Sequence, residues 1–212
     1  MVNRDLGGDQ AGRVLLGTVV RIQVQDGPLK IGTKPSRWYE PANLRTVEWI
    51  RIDSDGAWGL RPDGSTVLDV HHQHHPQCRD PKHYGGLTVM STADYRWLRR
   101  RYGAHLTDGI AGETLLIDRA DRLAGADLSA GLWIETADGD RLYVGQISVA
   151  SPCVEFTRFC LRRTPSGLVD DEVRAGLREL DGGARGFRGV ATRAAELHLG
   201  ARVWLRAGVA RG

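Results

Sequence analysis

From Gly17 to Gln25 apolar and polar residues alternate, cleanly so from Val20 onward. Val20, Ile22 and Val24 fall on one side, and Arg21, Gln23 and Gln25 on the other. A period of two is a half-buried strand, and Asp26-Gly27-Pro28 is a turn that stops it. Similar short segments recur at Thr46 to Ile52, Val67 to Val70, Thr114 to Asp118, Leu132 to Glu135, Arg141 to Val149 and Val203 to Arg206. Asp138-Gly139 predicts a hairpin between Leu132 to Glu135 and Arg141 to Val149. The 27 glycines are scattered at turn positions, which suits many short strands.

Helices are fewer. Ser91 caps a helix running to Tyr102, with Asp94 three residues on as a capping-box variant and Met90 with Tyr95 as a hydrophobic staple. Tyr95, Leu98 and Tyr102 share one face, and Gly103 ends it. A short helix follows Pro152. Another spans about Asp171 to Leu180, with Val173, Leu177 and Leu180 inward and Gly182-Gly183 as its stop. Strands and helices do not alternate regularly, so a doubly wound parallel sheet is not expected. The pattern predicts a mainly β, α+β chain with peripheral helices and a closed or partly closed barrel.

At 212 residues the chain reads as one domain, 13–212, behind a flexible lead-in, 1–12. No run approaches the ~20 apolar residues of a membrane helix, and no secretory signal is expected in the first twelve residues. Three cysteines, Cys78, Cys153 and Cys160, with no Cys-x-x-Cys, predict no disulfide framework and a reducing, cytoplasmic setting. A net charge of +3 does not point to nucleic acid. All but three of the 29 basic residues are arginines, which reads as base composition except where they cluster.

Cys153 is the leading chemical candidate. A strand ends at Val149; Ser151 suits an N-cap and Pro152 the first helical position. That order puts the sulfur in a first helical turn, where unpaired N–H groups favour thiolate. The other reading is an inert, buried cysteine. Cys160, seven residues on, is too far along a helix for a disulfide and is expected in the core. Arg185 and Arg188 stand in a glycine-rich segment, Gly182 to Gly189, which reads either as a phosphate-binding loop or as a solvated basic loop. His71, His72, His74, His75, Cys78 and His83 fall within thirteen residues. They form a candidate zinc or copper site without a standard finger spacing, a polar loop offering an acid or base, or surface decoration.

Several motifs then line up in order: Tyr84-Gly85-Gly86-Leu87, Gly112-Glu113-Thr114, Ser151-Pro152-Cys153, and the Gly182 to Gly189 segment. The order resembles the MOSC domain, the C-terminal domain of molybdenum-cofactor sulfurases, over about Gly17 to Leu205. That family shows His-Gly-Gly-Pro, Gly-Glu-Asn and Pro-Cys elements and a glycine-containing segment before the last strand. Here Tyr84 replaces the histidine, with His83 adjacent, Leu87 the proline, and Thr114 the asparagine. The resemblance implies a stand-alone MOSC protein with a barrel of the MOSC, or pyruvate-kinase-barrel-like, type. It implies molybdenum cofactor (molybdopterin) held with Cys153 as the molybdenum ligand. Ser151, Arg185, Arg188, Glu113, Thr114, Gly85 and Gly86 become the expected cofactor-binding set. Amidoxime-reducing relatives reduce N-hydroxylated compounds, so that reaction with an external electron donor is one implied activity. A sulfur carrier holding a persulfide on Cys153, loaded by a sulfur donor protein, is a second. A binding module without chemistry is a third. Pyridoxal phosphate is not expected in a chain of this length.

Overall fold

The long alternating segment forms a strand, but its faces are not those the alternation predicts. In the computed structural model, which describes residues 13–53, 55–78 and 87–206, β1 runs over Arg13–Gln25. Its pairing shifts between Val19 and Arg21. A bulge adds one residue and reverses the side-chain order. Val19 therefore points inward at 1% exposure and Val20 outward at 47%, while Ile22 and Val24 remain buried as expected. Gln23 is also buried, because its side-chain amide donates to the Gly109 carbonyl at 2.6 Å.

The other strands, in chain order, are β2 (Lys30–Ile31), β3 (Trp38–Tyr39), β4 (Leu44–Thr46), β5 (Trp49–Asp53), β6 (Gly56–Leu60), β7 (Thr66–Leu68) and β8 (Leu87–Ser91). They continue as β9 (Leu115–Asp118), β10 (Leu132–Glu135), β11 (Arg141–Val149), β12 (Phe187–Ala191), β13 (Ala195–His198) and β14 (Arg202–Arg206). The segment from Thr46 to Ile52, expected as one strand, is divided. β4 pairs with β1, whereas β5 pairs with β6 and β13. The change of sheet occurs at buried Val47, whose N–H donates to the Ile22 carbonyl.

Seven strands close into a barrel in the order β14-β10-β11-β12-β8-β9-β1, with β1 pairing back to β14. β4 extends the sheet on β1. Every neighbouring pair is antiparallel except β8 and β9. A parallel pair needs a crossover, and α1 (Thr92–Tyr102) supplies it. The hairpin expected at Asp138-Gly139 joins β10 to β11. A second sheet, β13-β5-β6-β7, shares one apolar core with the barrel, in which Ile22, Ile50, Leu115, Leu132, Leu197 and Val203 are fully buried.

Helix α1 carries the full capping box. The Ser91 side chain accepts from the Asp94 N–H at 3.1 Å, and Asp94 accepts from the Ser91 N–H at 3.0 Å. Met90 and Tyr95 are buried in a second cluster, which also holds Leu98, Phe156 and Leu180. That cluster joins α1, α3 (Val154–Cys160) and α4 (Asp171–Leu180) to the barrel wall. The short α2 (Gly125–Leu128) packs beside β11. In α4, Val173 and Leu180 face inward and Leu177 is half-buried. No helix among the described residues is long and apolar enough to cross a membrane. The lead-in 1–12 lies outside the described residues.

Candidate functional site

A cavity of about 490 Å³ opens at one end of the barrel. Glu113 and Thr114, just ahead of β9, line it together with Ser151, Arg185 and Arg188. Three motifs far apart in sequence thus meet at one site. The Thr114 N–H donates to the Thr88 carbonyl at 3.0 Å and to the Thr88 hydroxyl at 2.9 Å. These bonds prolong the parallel β8–β9 register and fix Glu113 beside the cavity.

Helix α3 begins later than its N-terminal residues predict. Ser151 is exposed and does not cap it; Cys153 is the N-cap and its side chain makes no capping bond. The chain ahead of the helix is held extended, since the Ala150 N–H donates to the Gly186 carbonyl at 3.0 Å. The Cys153 carbonyl accepts from both the N–H and the hydroxyl of Thr157 at 2.9 Å. The sulfur therefore precedes the first helical turn rather than sitting within it. Its positive neighbour is a side chain: Arg185 Nη1 donates to Cys153 Sγ at 3.6 Å. The same guanidinium lies 5.0 Å from the centre of the Phe156 ring, a cation–π distance. Cys153 is half-buried and is joined to the cavity through Arg185. Cys160 is buried as expected, and burial pushes its thiol up to about 12.

The segment from Gly182 to Gly189 is not all loop. Phe187, Arg188 and Gly189 belong to β12, and Arg188 Nε donates to Ser148 Oγ on β11 at 3.0 Å. Two further strands, β13 and β14, follow rather than a single closing one. Gly186 sets the entry to β12 with φ +85°; a Cβ there would lie 2.4 Å from the Val89 carbonyl oxygen. A side chain at that position would push β12 from β8 and move Arg185 with it.

Glu113 is 3% exposed. Its Oε2 accepts from the Tyr95 hydroxyl at 2.7 Å, and that hydroxyl accepts from the Ala111 N–H at 3.0 Å. The tyrosine has one proton to give, so its direction is settled. Glu113 Oε1 is buried without a hydrogen-bond partner. An unsatisfied buried polar atom costs about 1–3 kcal/mol. Burial raises the Glu113 carboxyl to about 7, and the Tyr95 bond works in the opposite direction.

The histidines do not gather around one point, although the His72 and His74 rings lie 5.5 Å apart. His71 lines the cavity, with Nδ1 2.7 Å from Asp69 Oδ1. Asp69 is buried and accepts from the Gln25 N–H at 2.8 Å as well. His72 is buried with Nε2 4.0 Å from Asp53, exposed His74 reaches Asp55 at 3.4 Å, and His75 Nε2 is 3.3 Å from the Asp26 carbonyl. Among the described residues no three His, Cys, Asp or Glu side chains form a group that could hold a metal ion, Cys78 included. His83, Gly85 and Gly86 lie outside the described residues. Sequence reasoning passed over Lys30 and Asp69, which both line the cavity. The spacing of Asp69 two residues before His71 was the available signal; Lys30, after the Gly27-Pro28 turn, had none.

The fold and site define a class: a mainly β, α+β protein whose closed barrel carries peripheral helices and a cavity with basic side chains on its wall. No family model matches the chain, and no curated protein does. Two solved structures share the architecture. The YUAD protein from Bacillus subtilis superposes with a TM-score of 0.50 at 11% identity, covering 92% of this chain and 98% of that one. A hypothetical protein superposes with a TM-score of 0.53 at 10% identity, covering 92% and 70%. At such identities the likeness concerns the fold.

Proposed function

We propose that the chain is a MOSC-type protein that binds molybdenum cofactor in this cavity, with Cys153 as the molybdenum ligand. The observation that supports the reading is Arg185, which lines the cavity and also donates to Cys153 Sγ. One guanidinium thereby links an anion-binding wall to a thiol. The residues present fit the group: Lys30, Arg185 and Arg188 line the cavity and suit a phosphate. A cavity of about 490 Å³ lies in the range typical of small-molecule sites. When bound, the cofactor would supply two-electron redox chemistry, such as reduction of N-hydroxylated compounds, with electrons from an outside donor. The chain's own residues would bind the anionic end, orient the ring system and present the thiol.

The test is metal and pterin content of protein made in a cofactor-competent host. Wild type should carry molybdenum with pterin, and Cys153→Ser should lose the metal while remaining folded. Unchanged content in a folded variant excludes Cys153 as the ligand. Arg185→Ala should weaken cofactor binding roughly tenfold to a hundredfold, since a shielded charge-assisted bond contributes about 1.5–3 kcal/mol. A second reading, a sulfur carrier with a persulfide on Cys153, draws on the half-buried position of that sulfur beside Arg185. Its mark is an added sulfur on intact mass without molybdenum. Neither mass nor metal would leave a binding module without chemistry.

A further inference from the structure

Of the histidine-rich stretch, one described member, His71, stands on the cavity wall. It lines the wall with Lys30, Arg185 and Arg188, and its side chain is 34% exposed. Its partner is Asp69, whose side chain is 4% exposed. Asp69 Oδ1 accepts from the His71 backbone N–H at 2.9 Å and lies 2.7 Å from His71 Nδ1, while Oδ2 accepts from the Gln25 N–H at 2.8 Å. A carboxylate only accepts, so Nδ1 carries a hydrogen and a further proton enters at Nε2, on the ring edge away from that contact. The neighbouring histidines face other groups: His72 towards Asp53, His74 towards Asp55 and His75 towards the Asp26 carbonyl. Besides Asp69, the acid on the wall is Glu113.

We propose that His71 takes up a proton when an anion binds in the cavity, and that the imidazolium, supported by Asp69, joins Lys30, Arg185 and Arg188 in balancing the anion's charge. In the empty cavity the three cations oppose a further positive charge on the ring, and the Asp69 carboxylate favours it. A bound anion offsets the cations and moves that balance towards the imidazolium. Asp69 is fixed by two backbone N–H groups, so it supports the charged ring without rearrangement. The proton comes from solvent, and no covalent bond of the ligand changes. The inference rests on the cavity being the anion site proposed above. It adds a titrating member to the wall and assigns the site an anionic ligand held more tightly as pH falls.

The probe is inorganic sulfate, whose own charge does not change between pH 5.5 and pH 8.5. It is titrated calorimetrically, at constant ionic strength and in two buffers of different ionisation heat, into the full chain made in a host without molybdopterin. Affinity should be roughly tenfold to a hundredfold weaker at pH 8.5 than at pH 5.5, the weight of one charge-assisted contact. Binding should take up as much as one proton per sulfate where the ring is neutral beforehand. His71→Gln should bind with a flat profile and no uptake, with thermal unfolding showing it folded. Glu113 also titrates in this range, at about 7, and its ionisation would repel an anion. Glu113→Gln should therefore keep the fall in affinity if His71 is its source. By NMR of the wild type, the His71 ring resonance should titrate at higher pH with sulfate than without it, the same linkage read from the other partner. That measurement keeps the test decisive if a variant does not fold. No sulfate binding, a flat wild-type profile, a fall that survives His71→Gln or vanishes in Glu113→Gln, or an unmoved His71 titration overturns the proposal. Molybdenum and pterin on protein from a cofactor-competent host, with sulfate affinity flat in pH, sinks the role of His71 alone. Proton uptake on His71 without molybdenum on such protein sinks the cofactor reading alone.

Discussion

Cys153 and Cys160 lie at opposite ends of α3 and differ in surroundings. Cys160 is 1% exposed, and burial holds its thiol at about 12, whereas Cys153 is half-buried with Arg185 donating to its sulfur. Native iodoacetamide labelling at pH 7.5 should modify Cys153 many times faster than Cys160; comparable rates would remove the distinction. Glu113 sets a dependence of stability on pH. Its folded-state carboxyl lies above the ordinary 4.5, at about 7. Folding therefore favours the neutral acid. That contribution is fully present below about pH 4.5 and is lost as pH rises through about 7, amounting to ~3 kcal/mol at most. Urea unfolding of wild type should show this loss between pH 5 and 8. Glu113→Gln should not show it, and parallel curves would mean the carboxyl is not perturbed.

At the scale of elements, α1 was the most legible part of the chain. Ser91, Asp94 and Gly103 act through bonds to their own helix, so their spacing is enough to place its ends. Ser91→Ala removes an acceptor for a buried N–H and a donor to Asp94 Oδ2 at 2.7 Å. The expected loss is about 1–2 kcal/mol in chemical denaturation; no loss would mean Asp94 holds the turn without it. Helix α3 was misplaced for the opposite reason. Ser151 and Pro152 have the residue types of a helix start, yet contacts from Gly186 and Arg185, more than thirty residues later, keep that stretch from coiling.

The whole molecule depends on β1, which belongs to two seams. Thr18 pairs with Arg202 of β14 and with Asp118 of β9. Gly17 sits where the seams cross, and a Cβ there would lie 2.1 Å from the Asp118 carbonyl oxygen. Gly17→Ala should loosen the closure and destabilise the barrel by about 1–3 kcal/mol. Hydrogen exchange should then quicken at both β9 and β14. Faster exchange confined to one of them would mean the barrel closes independently of this residue.

By itself the sequence determined the β-rich character, the hairpin at Asp138-Gly139 and the capped helix, because each depends on contacts within a few residues. It also marked Cys153, Glu113, Thr114, Ser151, Arg185 and Arg188, and five of these six line one cavity, with Cys153 joined to it by Arg185. Only the tertiary structure decided the bulge that turned Val19 inward, the partner of the Cys153 sulfur and the recruitment of Lys30 and Asp69. Bulges, strand order and side chains meeting across the barrel arise from pairings between distant residues. Local periodicity carries no record of those partners, so they become visible only when the sheet closes.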